Sequence, residues 1–166
     1  MKNKYVFLIL MAMLTVTIGC KTKVAPAKHT TTLKKNPYSI SELLQHDTQG
    51  IVTLRGISDE MPDRESAVEN SHKKAIQHLF YMGFPGTDMK NPMIRKGNSV
   101  EAQNKSYFDE FWKTGYKQYV TNTQTEYFGC ETNTSRCVTA ASTFKLNYNI
   151  LRRDLERNKI LNKIGF

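Results

Sequence analysis

Cys130 and Cys137 bracket the six residues ETNTSR, all polar and prone to turns, so the two thiols would face each other across a hairpin. A disulfide is the favoured reading. Free thiols are one alternative, and a pair of metal ligands is the other, which would need two further ligands that the nearby sequence does not offer. Asp59, Glu60, Asp63 and Glu65 place four carboxylates within seven residues at a strand-to-helix turn, a set that could hold calcium. Capping of the helix that follows accounts for them more simply. His72 and His78 fall six positions apart in a helical stretch, which puts them on different faces; they read as solvent-facing side chains and not as co-ligands. The sequence contains no G-x-S-x-G turn, no phosphate-cradling glycine loop and no H-E-x-x-H helix. That absence weighs against an enzyme, and no catalytic residue, metal ligand or cofactor is assigned.

The third cysteine sits in a different chemical setting. Lys2 and Lys4 precede an apolar run from Tyr5 to Ile18, and Gly19 stands directly before Cys20, the architecture of an export signal. A permanent membrane span needs about 20 apolar residues, more than this run supplies. Gly19-Cys20 after an apolar stretch resembles the bacterial lipobox, which implies cleavage before Cys20 and attachment of diacylglycerol to its sulfur, so that acyl chains such as palmitate hold the protein to a membrane. Cleavage at the small-x-small sequence Ala25-Pro26-Ala27 is a rival, although Lys21 and Lys23 separate it from the apolar run. A buried helix of a cytosolic protein is the third reading. An exported location also favours the Cys130–Cys137 bridge, because disulfides persist outside the cytosol.

Charge follows the same division. The formal net charge is +9, but seven lysines lie before residue 38, with no acid ahead of Glu42, so the rest of the chain carries only +2. A nucleic-acid partner would demand a basic footprint on the folded part, and the sequence assigns none. The segment KTKVAPAKHTTTLKKNP is too poor in large apolar residues to fold alone. The expected organisation is a signal peptide over 1–19, a flexible basic tether over 20–37 and one domain over 38–166, of a size that buries a substantial core.

Within that domain, YSISELLQHD (38–47) has a serine cap before Leu43 and Leu44 and predicts a short helix. IVTLRGIS (51–58) alternates as a strand, with Val52, Leu54 and Gly56 on one face. From Arg64 to Gly83 apolar residues recur at spacings of three and four, the strongest helix in the chain, with Asp63 as its N-cap. Ala67, Ser71 and Ala75 are small and would let that helix lie close to a sheet. Residues 84–105 contain Pro85, Gly86, Pro92 and Gly97 without periodicity, a loop that is functional, mobile or hiding an element. SYFDEFWKTG (106–115) predicts a helix with Ser106 and Asp109 in capping-box spacing, its aromatics packing as core. A bridged hairpin would set Tyr127 against Ala140, Thr123 against Phe144, Thr121 against Leu146 and Tyr119 against Tyr148. The opposite face would pair Glu126 with Ala141, Gln124 with Thr143 and Asn122 with Lys145. A short helix from Leu151 to Arg157 closes the domain. The order helix, strand, helix, loop, helix, strand, strand, helix predicts an α+β fold, a small, mainly antiparallel sheet with the long helix across one face.

Three stretches carry a resemblance: TLRGISDEMPDRESAVENSHKKAIQHLFYMGFPG, YFDEFWKTGYKQYV and LNYNILRRDLERNKILNKIGF. Together they resemble a family of uncharacterised lipoproteins from Bacteroidota, and the strand-glycine-helix segment is similar, more distantly, to small outer-membrane lipoprotein domains associated with flagellar assembly. The resemblance implies a cell-envelope component of unknown role and carries over no catalytic residue. The favoured reading is a non-enzymatic lipoprotein, in the outer membrane of a Gram-negative bacterium, that meets an envelope protein or assembles with itself through the exposed strand of its small sheet or the 85–105 loop. Binding of a small apolar ligand between the aromatic helix and the sheet is the alternative.

Overall fold

The computed structural model describes residues 41–95, 97–130 and 137–162. Among them β1 (Glu42–His46), β2 (Ile51–Ile57), α1 (Arg64–Tyr81), α2 (Asn98–Gln103), α3 (Lys105–Lys113), a 3₁₀ turn (Gly115–Tyr119), β3 (Val120–Gly129), β4 (Val138–Asn147) and α4 (Tyr148–Arg157) follow in order. The strands form one antiparallel sheet, β1-β2-β4-β3. The fold is α+β, as the pattern of elements predicts.

The predicted first helix is instead a strand. Leu43 faces Leu54 and His46 faces Val52, with a bulge at Leu44. The hairpin is closed by an Asx-type turn. Asp47 Oδ1 accepts from the amides of Gln49 at 2.9 Å and Ile51 at 2.8 Å, and Gly50 takes a φ of +79°, a conformation that glycine adopts without steric cost. Pairing with β2 satisfies a whole row of backbone groups, which outweighs the modest helix preference of Ser-Glu-Leu-Leu.

Helix α1 begins where the sequence predicts: the Ser66 amide donates to the Asp63 side chain at 2.8 Å. It buries Ala67, Ser71, His72, Ala75, Ile76, Leu79 and Phe80 against β2 and β4. The close approach expected from its small residues is real and is shared by Gly56 of β2. A Cβ built on Gly56 would lie 2.0 Å from the Ser71 carbonyl oxygen and 2.9 Å from the Ala75 Cβ. At this contact Ser71 Oγ donates to Ser142 Oγ at 2.7 Å, and Ser142 Oγ lies 3.0 Å from Thr125 Oγ1, so hydroxyls buried between helix and sheet find partners.

Residues 84–95 dock onto the end of α1. The amides of Met93 and Ile94 donate to the carbonyls of Leu79 and Phe80 at 3.2 and 2.8 Å, satisfying acceptors that a helix C-terminus leaves open. Phe84, Met89 and Ile94 are buried in the core, and α2 is the element that the aperiodic sequence concealed. The predicted capping box of α3 does not form, since Asn104 is its N-cap and turns its side-chain amide back to the Val100 carbonyl at 2.9 Å instead of capping, and Asp109 pairs with Lys105. Phe108 and Phe111 do pack as core, beside Phe80, Tyr116 and Phe144. Trp112 Nε1 and Tyr81 Oη donate to Glu101 at 2.6 and 2.8 Å, and Tyr107 Oη donates to Asp154 at 2.7 Å.

The β3–β4 ladder follows the expected register from Gly129 opposite Val138 to Gln124 opposite Thr143, and then departs from it. Asn122, with a φ of +50°, and Thr123 together span the place of Phe144, so Thr121 faces Lys145 and Val120 faces Leu146. The predicted pairs Thr123–Phe144, Thr121–Leu146, Asn122–Lys145 and Tyr119–Tyr148 therefore do not form, and Tyr119 lies in the 3₁₀ turn. One extra residue in β3 makes a bulge there, and asparagine tolerates the left-handed backbone better than most residues.

Candidate functional site

A cleft of about 760 Å³ lies at the β1 end of the sheet. One wall is the docked 88–104 segment, the other is α4 and the turn after it, and His46 from the end of β1 stands between them. Each wall is built by contacts already described. The loop amides bound to α1 hold Met93 and Ile94 in place, and Leu151 and Leu155 anchor α4 from below. His46 Nδ1 contacts Asp88 Oδ2, tying the edge strand to the loop. That hydrogen bond holds the Asp88 carboxyl below the usual carboxylate range.

The chemistry of the lining is mixed. Met89 and Met93 supply thioethers, Asn91, Gln103 and Asn104 supply amides, and Arg95, Arg152 and Lys159 supply cations. Arg152 is partly committed, since its Nε donates to Glu156 at 3.0 Å; Arg95 and Lys159 are exposed at the rim. Flexible thioethers adapt to irregular apolar groups, and amides beside guanidinium groups read backbone carbonyls and carboxylates. Such a lining suits an extended peptide segment better than a purely apolar molecule. Phe80, Phe108, Phe111 and Tyr116, by contrast, are buried in one core cluster together with Phe144 of β4. A second opening of about 600 Å³ lies over Tyr107, Tyr119 and Asp154. Burial raises both phenols, and the carboxylate of Asp154 adds to that shift.

The residues singled out from the sequence separate into distinct places. Cys20 lies outside the described residues. Cys130 and Cys137 stand at disulfide distance, with Cα atoms 5.9 Å apart, at the end of the hairpin where β3 leads on to β4 and outside the lining of the cleft. His72 is buried, with its ring 4.4 Å from that of Phe144, so it is not the solvent-facing side chain that the sequence reading expects. Its spacing from Ala75, Ile76 and Leu79 places it on the apolar stripe. Desolvation lowers its pKa to about 4. His78 lies beside Phe84, ring centroids 4.9 Å apart, on another side of the helix.

The four carboxylates do not converge. Asp59 pairs with Lys74, Asp63 caps α1, and Glu65 sits in the first helical turn. Glu60 instead approaches the cysteines: its carboxylate and the two sulfurs lie within 4.8 Å of one another. Neither this grouping nor the His46–Asp88 contact could be read from the sequence, since the partners lie far apart along the chain and no local spacing marks them. Among the described residues no helix is long and apolar enough to cross a membrane. No protein-family model, curated protein or solved structure matches the chain.

Proposed function

We propose that this protein is a lipid-anchored component of the bacterial cell envelope, tethered through Cys20, whose α+β domain binds a segment of a partner protein or of a second copy in the cleft between the 88–104 segment and α4. The observation that carries this reading is the His46–Asp88 contact. The sequence suggests two interaction surfaces, an exposed strand of the sheet and the 85–105 loop, and this contact brings them together at one cleft. β1 is an edge strand, exposed at Glu42 and from Leu44 to His46, and an edge strand can add an extended segment to its sheet through backbone hydrogen bonds. Adjacent thioether, amide and cationic groups then supply side-chain selectivity.

The anchor part of the reading rests on the lipobox-like Gly19-Cys20 behind an apolar run and a basic start. A basic tether beside acyl chains also suits an anionic membrane surface, at about 1 kcal/mol per lysine at most.

Recovery of the full-length protein from detergent-solubilised membranes should bring down a stoichiometric partner or a higher oligomer. Arg95→Glu, at the exposed rim, should weaken that association and leave the fold intact. Recovery of the same partner at the same yield by the variant would remove the cleft from the reading. Recovery of a clean monomer by the wild type would remove the interaction altogether.

A further inference from the structure

The end of the β3–β4 hairpin beyond the Gly129–Val138 pair holds a group of atoms for which the proposed function has no use. A backbone bridge connects this hairpin to the turn before α1: the Met61 amide donates to Val138 at 2.9 Å and the Val138 amide donates to Met61 at 2.8 Å. The turn is fixed on either side of Glu60. The Asp59 amide donates to Asn70 Oδ1 at 2.9 Å, and Asp63 caps the helix. Glu60 is thereby carried to Cys137, next to the bridged Val138, and to Cys130 across the hairpin. The result is two sulfurs and one carboxylate oxygen within 4.8 Å, contributed by two separately anchored segments.

Those atom types are zinc-class ligands, gathered closely enough for one ion once the sulfurs part. With metal–sulfur bonds of about 2.3 Å and metal–oxygen bonds of about 2.0 Å, ligand atoms of a tetrahedral site stand roughly 3.5 to 4 Å apart. The sulfurs, about 2 Å apart when bonded, must separate by nearly that much again on reduction to reach that spacing. Cysteines of opposed strand ends can present thiolates side by side as readily as they join in a disulfide. Glu60 is exposed, so a fourth position would open to water.

We propose that the pair is a redox-gated metal site: as a disulfide it binds nothing, and once reduced, Cys130 Sγ, Cys137 Sγ and the Glu60 carboxylate take up one thiophilic divalent cation of the zinc class. A dithiol reductant supplies the two electrons and two protons that split the sulfur–sulfur bond into two thiols and is itself oxidised to a disulfide. The metal then displaces both thiol protons, and two thiolates with one carboxylate hold it. The two forms exclude each other, because each sulfur spends the same electrons on its partner or on the metal.

Cobalt(II) tests the assignment directly, since a thiolate-to-cobalt charge-transfer band appears only when sulfur binds the metal. Purified full-length protein, reduced and kept free of oxygen, should take up one equivalent and show the band, and zinc should abolish it by displacement. The oxidised protein should show none. Glu60→Gln, which leaves the cysteine pair and the fold in place, should keep the band after reduction but weaken the affinity about tenfold or more. The double variant Cys130→Ser, Cys137→Ser should lose the band entirely. Failure of the reduced wild type to bind one equivalent would overturn the site, and unchanged affinity in Glu60→Gln would overturn the three-ligand assignment.

Discussion

His72 shows how far a single side chain can depart from its composition-level expectation. Histidine is polar, yet this ring sits against Phe144 with Thr123 Oγ1 3.4 Å from its Nε2. Glu69 favours its charged form and Lys117 opposes it, but desolvation dominates and sets the pKa at about 4 against an ordinary 6.5. Between those values the unfolded chain binds more protons than the folded one. Stability is therefore full above about pH 6.5 and falls as the pH drops toward 4, by up to about 3 kcal/mol from this group alone. Denaturant unfolding of wild type and His72→Gln across that range should give curves that converge on acidification; a constant difference would show that His72 protonates equally in both states. The spacing that buries His72 was present in the sequence, in step with Ala75, Ile76 and Leu79, and the polarity of the residue masked it. Asp63 was readable for the opposite reason: a cap bonds to its own neighbours, so its partners lie within the local sequence.

Elements were legible where one local force decides them. The periodicity of α1 and the alternation of β2 each select one conformation, and the structure has both. β1 was misread because a five-residue segment with two leucines fits a helix or a strand by pattern alone, and pairing with β2 decides the matter from outside it. The bulge at Asn122 and Thr123 was hidden for a related reason, since nothing within β3 specifies where Phe144 must sit. The close approach of α1 to the sheet centres on Gly56. Gly56→Ala must push α1 off the sheet, because the new methyl group meets the rigid Ser71 carbonyl at 2.0 Å; overpacking of this kind costs about 1–3 kcal/mol and occasionally more. Thermal and urea unfolding should place the variant at or beyond the top of that range. A loss below about 0.5 kcal/mol would mean that the helix has room the geometry denies it.

At the scale of the whole molecule, local sequence rules marked the parts and could not mark their meeting places. The cleft depends on His46, Asp88, Arg95 and Arg152, which come from three regions of the chain, and only the fold of β1 against β2 and the docking of the loop on α1 bring them to one rim. The anchor is the reverse case, a local signal to which the described residues add nothing. Cys20→Ala should leave an uncleaved precursor that no longer partitions into the detergent phase of a phase-separated membrane extract. Unchanged partitioning would dismiss lipid attachment at this cysteine while leaving the cleft's role open.

The central claim is that the cleft, and not the solvent face of α1, meets another protein at the membrane. Site-specific photocrosslinking in intact cells tests it most directly, with the reactive group placed at Asn91 on the cleft or at Gln77 on the exposed side of α1. Crosslinks from Asn91 to one defined protein, or to a second copy of this chain, that disappear with Arg95→Glu and do not arise from Gln77 are the predicted result. Equal crosslinking from both positions, or none from Asn91, would contradict it.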